Sequence, residues 1–320
     1  MSTENSAPET RFSQIWNRDS SSNDEVSKIA AKLANNVGDV STKKDKERQW
    51  GFFDWVKNLF IFFILQLAFG AIWLGLADPD VFTNPTLLQE TLSSPVFIFL
   101  NAILMYITWI GGMLWVTYRK GKRSFKEDFL VKFKKWDVFI GLGIAALLYG
   151  IMIGAQFLLS DVFGLNLEGA DNGALFLSYS GAWFIIIAVG IASILGPISE
   201  ELWFRGFLMN SILKTIQNRR DKLEHLNLSE KSAPISWKLV KFFEKIRYPL
   251  AVIVSSAIFG MFHFQGSLDG FGYWFIIIAT GTLGTVFAIA TLVFKRLGPS
   301  IFGHVFYNFS TLMIAVIAMQ

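Results

Sequence analysis

Seven long apolar runs constrain the fold of this chain more than any other feature. Most are close to the ~20 residues that an α-helix needs to cross a bilayer, and only 17% of the residues are charged, against ~25% in soluble domains. A backbone in lipid has to satisfy its hydrogen bonds within the segment, which requires helices here. The sequence therefore predicts an all-α, polytopic transmembrane bundle of about seven spans. We place them near residues 52–77, 95–118, 137–159, 182 into 197–207, 249–264, 271–294 and 299–320.

Three of these spans carry further signals. Gly196-Pro197 predicts a kink or a break in the fourth span, because proline lacks an amide donor and clashes with the preceding turn. A break would divide that span and raise the count to eight. The fifth span is the shortest, at about 16 residues from Pro249. In the third span, Gly150 and Gly154 have the spacing of a close helix–helix contact.

The distribution of basic residues predicts the orientation. Lys and Arg are concentrated in the N-terminal tail and in the loops at 119–135, 214–247 and 295–296. The loops at 78–94, 160–181 and 265–270 contain none. By the positive-inside rule, the N-terminus is cytoplasmic and, with seven spans, the C-terminus lies outside. The basic segment 237–247 is predicted to lie as an amphipathic helix on the membrane surface.

The chain divides into a polar part and a membrane part. Residues 1–50 are predicted to be a disordered cytoplasmic tail with a weak amphipathic pattern at 25–35, and residues 51–320 form the transmembrane domain. The tail lacks the apolar core of a signal peptide. With no cysteine, disulfides, Cys-zinc sites, Fe–S clusters and a Cys nucleophile are excluded. The net charge of +4 fits basic cytoplasmic loops, so we expect no nucleic-acid partner, and the composition favours a bacterial cell membrane.

A charged stretch in the fourth span is the strongest candidate site. Glu200, Glu201 and Arg205 stand between apolar segments, where charges are costly and usually functional. On a helix the two glutamates diverge by about 100°, and Glu201 shares a face with Arg205 at i, i+4. Arg205 then neutralises Glu201, and Glu200 is left to face a cavity as a general base. The alternative is a structural charge cluster at the cytoplasmic interface.

Two of the three histidines also lie in predicted spans. His263 follows Phe259 by one helical turn, and His304 precedes Asn308 by one turn. Taken singly, His263 has the alternative of a satisfied core histidine, and His304 that of a helix–helix hydrogen bond. Together with Glu200 these groups are sufficient to activate water and to stabilise an oxyanion. The sequence has no serine nucleophile elbow and no His-Glu-x-x-His zinc helix.

These three motifs resemble those of the CAAX protease and bacteriocin-processing family, also called CPBP or Abi. The segment Glu200–Arg205 is similar to its EExxxR motif. The segment Phe259–His263 is similar to its FxxxH motif, and the segment His304–Asn308 is similar to its HxxxN motif. The resemblance covers roughly residues 182–320. It implies an intramembrane endopeptidase. Members of that family include the type II endopeptidase that removes three residues from prenylated CAAX proteins, and bacterial proteins linked to bacteriocin maturation or immunity.

The resemblance also assigns roles. Glu200 would activate water, and His263 would assist it. The oxyanion would be held by His304 and Asn308. The site would be supported by Glu201, Arg205 and Phe259. The expected partners are the lipid bilayer and a membrane-associated peptide or protein of the CAAX or bacteriocin type. We expect no required cofactor; zinc on Glu200, His263 and His304 is the alternative. A non-catalytic immunity or scaffold protein and a proton-coupled transporter are the competing functions.

The predicted spans place the candidate residues at different depths. At ~1.5 Å per residue, His263 lies ~21 Å beyond Pro249, whereas His304 lies only ~8 Å beyond Pro299. A shared site therefore requires tilted helices or a fifth helix that begins outside the hydrocarbon. With that adjustment, we predict a cavity in the cytoplasmic half of the bundle, open to the cytosol.

Overall fold

A computed structural model of the chain describes residues 50–77, 79–165, 177–263 and 271–318, with side chains from 274 in the last range. The predicted tail, its 25–35 segment and the turn at 265–270 lie outside the described residues. Within the described ranges the structure has helices and no strands, and seven helices are long and apolar enough to cross a membrane. This confirms the prediction of an all-α transmembrane bundle.

The helices are numbered here in chain order. The seven long ones are α1 Phe52–Gly75, α3 Pro95–Lys120, α5 Asp137–Val162, α6 Gly181–His225, α7 Pro234–Phe262, α8 Phe271–Phe294 and α9 Gly298–Ala318. Two shorter helices, α2 Pro85–Leu92 and α4 Phe125–Asp128, lie in the first and second loops. The sequence analysis missed α2, which is capped by the Asn84 side chain.

Of the two alternatives predicted at Gly196-Pro197, a kink or a break, the break is wrong, because α6 is one helix of 45 residues that runs through it. The helix is π-helical on both sides of the proline, at Phe184–Leu195 and Glu201–Met209. In the first of these stretches the Gly196 N–H bonds the carbonyl of Ile191, five residues earlier. At the same spacing Pro197 would bond the Ala192 carbonyl but has no N–H. The Asn308 side chain on α9 donates to that carbonyl instead, at 3.1 Å.

The predicted length of the fifth span is also wrong, because its helix begins earlier than Pro249. Helix α7 runs unbroken from Pro234 to Phe262 with Pro249 inside it, so the predicted surface helix at 237–247 is its first part. This part packs beside the C-terminal end of α6, where Glu244 forms an ion pair with Arg220 at 3.1 Å. The additional turns before Pro249 account for the depth of His263, because α7 begins well before the hydrophobic stretch used to place it.

A group of aromatic side chains holds α1, α3 and α7 around α6. Trp203 stacks on Trp109 of α3 at 4.5 Å and lies 5.0 Å from Trp55 of α1 and 5.5 Å from Phe262 of α7. Its indole N–H donates to Asn58 Oδ1 at 2.7 Å. Because Trp203 is three residues after Glu200, this packing fixes the charged turn of α6 against three other helices.

Helices α5 and α9 meet at a different glycine from the one predicted. A side chain at Gly141 would collide with Phe302 and Gly303, whereas one at Gly150 or Gly154 would meet nothing. The close contact is therefore at the beginning of α5, and the spacing of Gly150 and Gly154 does not mark it. Near the same end, Asp137 binds Arg296 through contacts of 2.6–3.1 Å.

Candidate active site

Glu201 and Arg205 form a fully buried ion pair on one face of α6. The Arg205 Nη1 atom lies 2.9 Å from Glu201 Oε1, and both side chains are 0% exposed. The second guanidinium nitrogen donates to the Gly284 carbonyl of α8 at 3.0 Å, and the guanidinium carbon lies 4.3 Å from the centre of the Phe259 ring. Arg205 thus ties α6 to both α7 and α8.

His304 of α9 lies between the two glutamates. Its Nδ1 atom is 3.1 Å from Glu201 Oε1, and its Nε2 atom is 3.7 Å from Glu200 Oε2. The ring stacks on Phe287 of α8 at 4.6 Å. Because the carboxylate paired with Arg205 can only accept a hydrogen bond, Nδ1 is the protonated nitrogen and Nε2 faces Glu200. The 3.7 Å separation is too long for a direct hydrogen bond and leaves a polar gap between the two groups.

Glu200 differs from its neighbour in both exposure and bonding. Its side chain is 21% exposed, whereas that of Glu201 is fully buried. Among the described residues, Glu200 Oε2 is buried without a hydrogen-bond partner. A buried carboxylate oxygen without a donor is costly unless a ligand or water supplies one. Glu201 Oε2 also has no partner among the described residues, but Glu201 is fully buried and pairs with Arg205 through Oε1. Glu200, which is partly exposed, is therefore the carboxylate of this cluster that is available to bind a further polar molecule.

His263 reaches this cluster through Phe259. Its Nδ1 atom lies 2.8 Å from the Phe259 carbonyl, which can only accept, so the proton is on Nδ1 and Nε2 is the basic nitrogen. The Phe259 ring centre lies 4.6 Å from the His263 ring and 5.8 Å from the His304 ring. Both histidines therefore have a fixed tautomer and share one aromatic neighbour, as the FxxxH spacing suggested for the first of them.

Asn308, one turn after His304 on α9, donates its side-chain amide to the Ala192 carbonyl of α6. This is the carbonyl that Pro197 leaves without a helical donor. One of the two amide protons of Asn308 is used in this bond. The structure thus brings Glu200, Glu201, Arg205 and His304 into contact, and holds His263 and Asn308 at the edge of that group.

The candidate ligands of a metal site are Glu200, His263 and His304. Within the described ranges, no three His, Asp or Glu side chains are arranged to hold a metal ion. Glu200, His263 and His304 lie within these ranges and do not form such a set. The arrangement does not fit a three-ligand zinc site, and no step below uses a metal.

Tyr106 of α3 is a functional candidate that the sequence analysis missed. Its hydroxyl is buried beside the Ser199 hydroxyl and near Glu200, and no hydrogen bond of good geometry satisfies it among the described residues. The stack of Trp109 on Trp203 sets the register between α3 and α6. Tyr106 lies three residues before Trp109, and Glu200 lies three residues before Trp203, so the stack brings Tyr106 and Glu200 to the same level. A tyrosine one turn before a tryptophan in an apolar run is too common in spans to have identified it from sequence.

Fold and site together define a class of protein: a polytopic helical membrane protein with a buried Glu–Arg–His centre and one available glutamate. Within this class, residues 181–310 match the family model described as type II CAAX prenyl endopeptidase, Rce1-like. The match confirms the resemblance seen in the three motifs, all of which it contains. The matched family is a protease family, which supports a peptidase. Searches of curated proteins and of solved structures gave no match.

Proposed function

We propose that this chain is an intramembrane endopeptidase in which Glu200 activates water to cleave a peptide bond near the C-terminus of a prenylated, CAAX-like substrate. The observation that carries the proposal is the partly exposed Glu200 carboxylate, whose Oε2 atom is buried, has no hydrogen-bond partner among the described residues and lies 3.7 Å from His304 Nε2. The match of residues 181–310 to a prenyl endopeptidase family supports the substrate class. The end of the bundle with the basic loops is the cytoplasmic one in this proposal.

The proposed reaction begins with a water molecule beside Glu200 Oε2. As the water oxygen bonds to the scissile carbonyl carbon, its proton passes to the Glu200 carboxylate. The carbonyl oxygen becomes an oxyanion. When the C–N bond breaks, Glu200 returns the proton to the leaving amine, so the products are a carboxylic acid and an amine. One group thus serves as base and then as acid.

The neighbouring groups stabilise the charges that form. His304 donates to the oxyanion from Nε2 when both of its nitrogens carry protons, and the Glu201 carboxylate at Nδ1 stabilises that imidazolium. His263 assists through its basic Nε2 atom. Asn308 positions the α6 turn before Glu200 through the Ala192 carbonyl, and its second amide proton is available to the oxyanion. The Tyr106 hydroxyl is a further donor on the opposite helix.

The test uses the full chain, purified and reconstituted in lipid vesicles. A farnesylated peptide with a CAAX terminus should lose its last three residues, and the same peptide without the farnesyl group should be cleaved more slowly. Mass spectrometry of the released tripeptide gives the rate. If neither peptide is cleaved while a pH gradient drives solute uptake into the vesicles, the chain is a transporter. No cleavage and no flux would favour the non-catalytic immunity or scaffold protein.

Removal of the Tyr106 hydroxyl should slow the reaction. Tyr106→Phe keeps the ring and deletes only the hydroxyl near Glu200. Loss of one oxyanion donor costs about 10²-fold in kcat at a fully engaged position, and we expect a tenfold or larger loss with little change in KM. Tyr118→Phe, on the same helix with the ring 61% exposed, is the matched control. Equal activity of the two variants would remove Tyr106 from the mechanism.

Chelation of metal ions should leave the activity unchanged. The three candidate ligands do not form a metal site, so we expect less than a twofold change in kcat after treatment with 1,10-phenanthroline and dialysis. The measurement is the same tripeptide release. Activity that disappears with the chelator and returns on addition of zinc would show that a metal takes part, and that the ligands rearrange to bind it.

A further inference from the structure

A polar cavity lies away from the Glu200 cluster, where the loop before α5 meets the turn between α8 and α9. Its volume is about 570 Å³. Lys126, Lys132 and Lys134 line it from the loop, and Lys295 and Arg296 from the turn. Glu127 is the acidic residue in its lining. The proposed peptidase reaction does not use this cavity.

The cavity carries an excess of positive charge. Arg296 is neutralised by Asp137, at 2.6 Å, and this hydrogen-bonded carboxylate raises the pKa of Arg296. In the described part of the chain, none of the four lysines takes part in an ion pair. Lys134 interacts electrostatically with Asp137, which Arg296 already neutralises. In the lining itself, four ammonium groups therefore stand against one carboxylate, that of Glu127. Like charges held around one cavity repel each other, and an anion that enters it relieves this repulsion.

The two sides of the cavity are held together by backbone hydrogen bonds. The Leu297 N–H of the turn donates to the Leu130 carbonyl of the loop at 3.0 Å. Within the loop, the Lys134 N–H donates to Asp137 Oδ2 at 2.8 Å. Since Asp137 also binds Arg296, loop, turn and the beginning of α5 form one unit. The lysines thus project from a fixed backbone, and their cavity does not depend on a ligand for its shape.

Exposed aromatic residues beside the cavity are of the kind found at the level of lipid headgroups. Phe133 lines it with 55% of the side chain exposed, and Trp136 and Phe139, just beyond, are 60% and 63% exposed. Aromatic side chains are enriched at the membrane–water interface. Basic pockets between transmembrane helices are suited to anionic headgroups at this depth. We propose that the cavity binds the phosphate headgroup of an anionic phospholipid, with its acyl chains along the exposed side chains of Phe133, Trp136 and Phe139.

A free phosphate ion would share the contacts with the lysines but not those with the aromatic residues. This difference allows an experiment to distinguish a phospholipid headgroup from a free phosphate ion. The experiment uses the purified full chain in detergent and three probes: short-chain phosphatidylglycerol, short-chain phosphatidylcholine, and inorganic phosphate. Dissociation constants are measured on fluorescently labelled protein. We expect phosphatidylglycerol to bind at least tenfold more tightly than either of the others, and more weakly as salt is raised.

Lys132→Ala/Lys295→Ala is the test variant. One basic residue near an anionic headgroup contributes about fivefold, equivalent to ~1 kcal/mol, so the pair should weaken phosphatidylglycerol binding roughly 25-fold. Lys238→Ala/Lys245→Ala on α7 removes the same charge elsewhere and should change it less than twofold. Lys132→Arg/Lys295→Arg keeps both charges and should bind phosphatidylglycerol as the original protein does. That result would show that the alanine variant loses binding through its charges and not through unfolding. The proposal fails if test and control variants weaken equally, or if inorganic phosphate binds as tightly as the lipid.

Discussion

Glu200→Gln is expected to lower kcat by about 10³-fold, within the 10²–10⁴ range for loss of a general base. Glutamine has the same shape as glutamate but cannot accept the proton of the attacking water. Because Glu200 Oε2 has no hydrogen-bond partner to lose among the described residues, the unfolding temperature should stay within a degree or two of the original. The measurement is tripeptide release from a farnesylated peptide, together with thermal unfolding in detergent. KM should change little, since the substitution affects the chemical step.

The matched control for this prediction is Glu224→Gln in the same helix. Glu224 is 48% exposed and lies about six turns beyond Glu200, so its substitution should leave kcat unchanged. A Glu200→Gln variant with more than half of the original activity would show that another group activates the water. If the original protein itself has no peptidase activity, the proposed function fails before this substitution is informative.

Glu201→Ala is expected to destabilise the protein by about 3–5 kcal/mol, because it leaves the Arg205 guanidinium buried without its counter-ion. Both side chains are 0% exposed, and Glu201 also holds His304. Glu224→Ala removes a pair with the same i, i+4 spacing in the same helix, Arg220–Glu224, whose members are both 48% exposed. That loss should be under ~1 kcal/mol. Thermal or denaturant unfolding in detergent measures both.

A double variant separates the buried charge from the contacts of Glu201 itself. Glu201→Gln/Arg205→Met removes both charges and should recover part of the stability lost in Glu201→Ala, since an uncompensated buried charge is worse than none. It should remain inactive, because His304 loses the carboxylate at Nδ1. Equal destabilisation by Glu201→Ala and Glu224→Ala would mean that the pair near Glu200 is not protected from solvent in the folded protein.

Much of the local structure could be predicted from sequence. The apolar runs placed the ends of α1, α3 and α8 within a few residues, because a lipid-embedded backbone has to be helical wherever the run is long enough. The i, i+4 spacing predicted the pairing of Glu201 with Arg205, and the 100° step predicted that Glu200 would have different surroundings. These features depend only on helix geometry and on the cost of charge in an apolar segment.

The errors arose where one helix depends on another. Pro197 was expected to kink or break α6, yet the helix runs through it with π-helical turns, and the Ala192 carbonyl accepts from Asn308 of α9, 116 residues away in sequence. The hydrophobic stretch of α7 was taken for the whole helix, although its polar first part packs on α6. In each case the missing hydrogen bonds or apolar contacts come from a distant segment, which no local pattern contains.

The sequence by itself determined that the chain crosses a membrane as helices, and which charged and imidazole groups are too costly there to lack a function. Only the tertiary structure decided how they meet. It placed His304 between two adjacent glutamates, set Tyr106 beside Glu200 through the Trp109–Trp203 stack, and directed Asn308 to the Ala192 carbonyl. The physical reason is that periodicity fixes the face on which a residue lies, whereas the crossing and register of helices fix what that face touches.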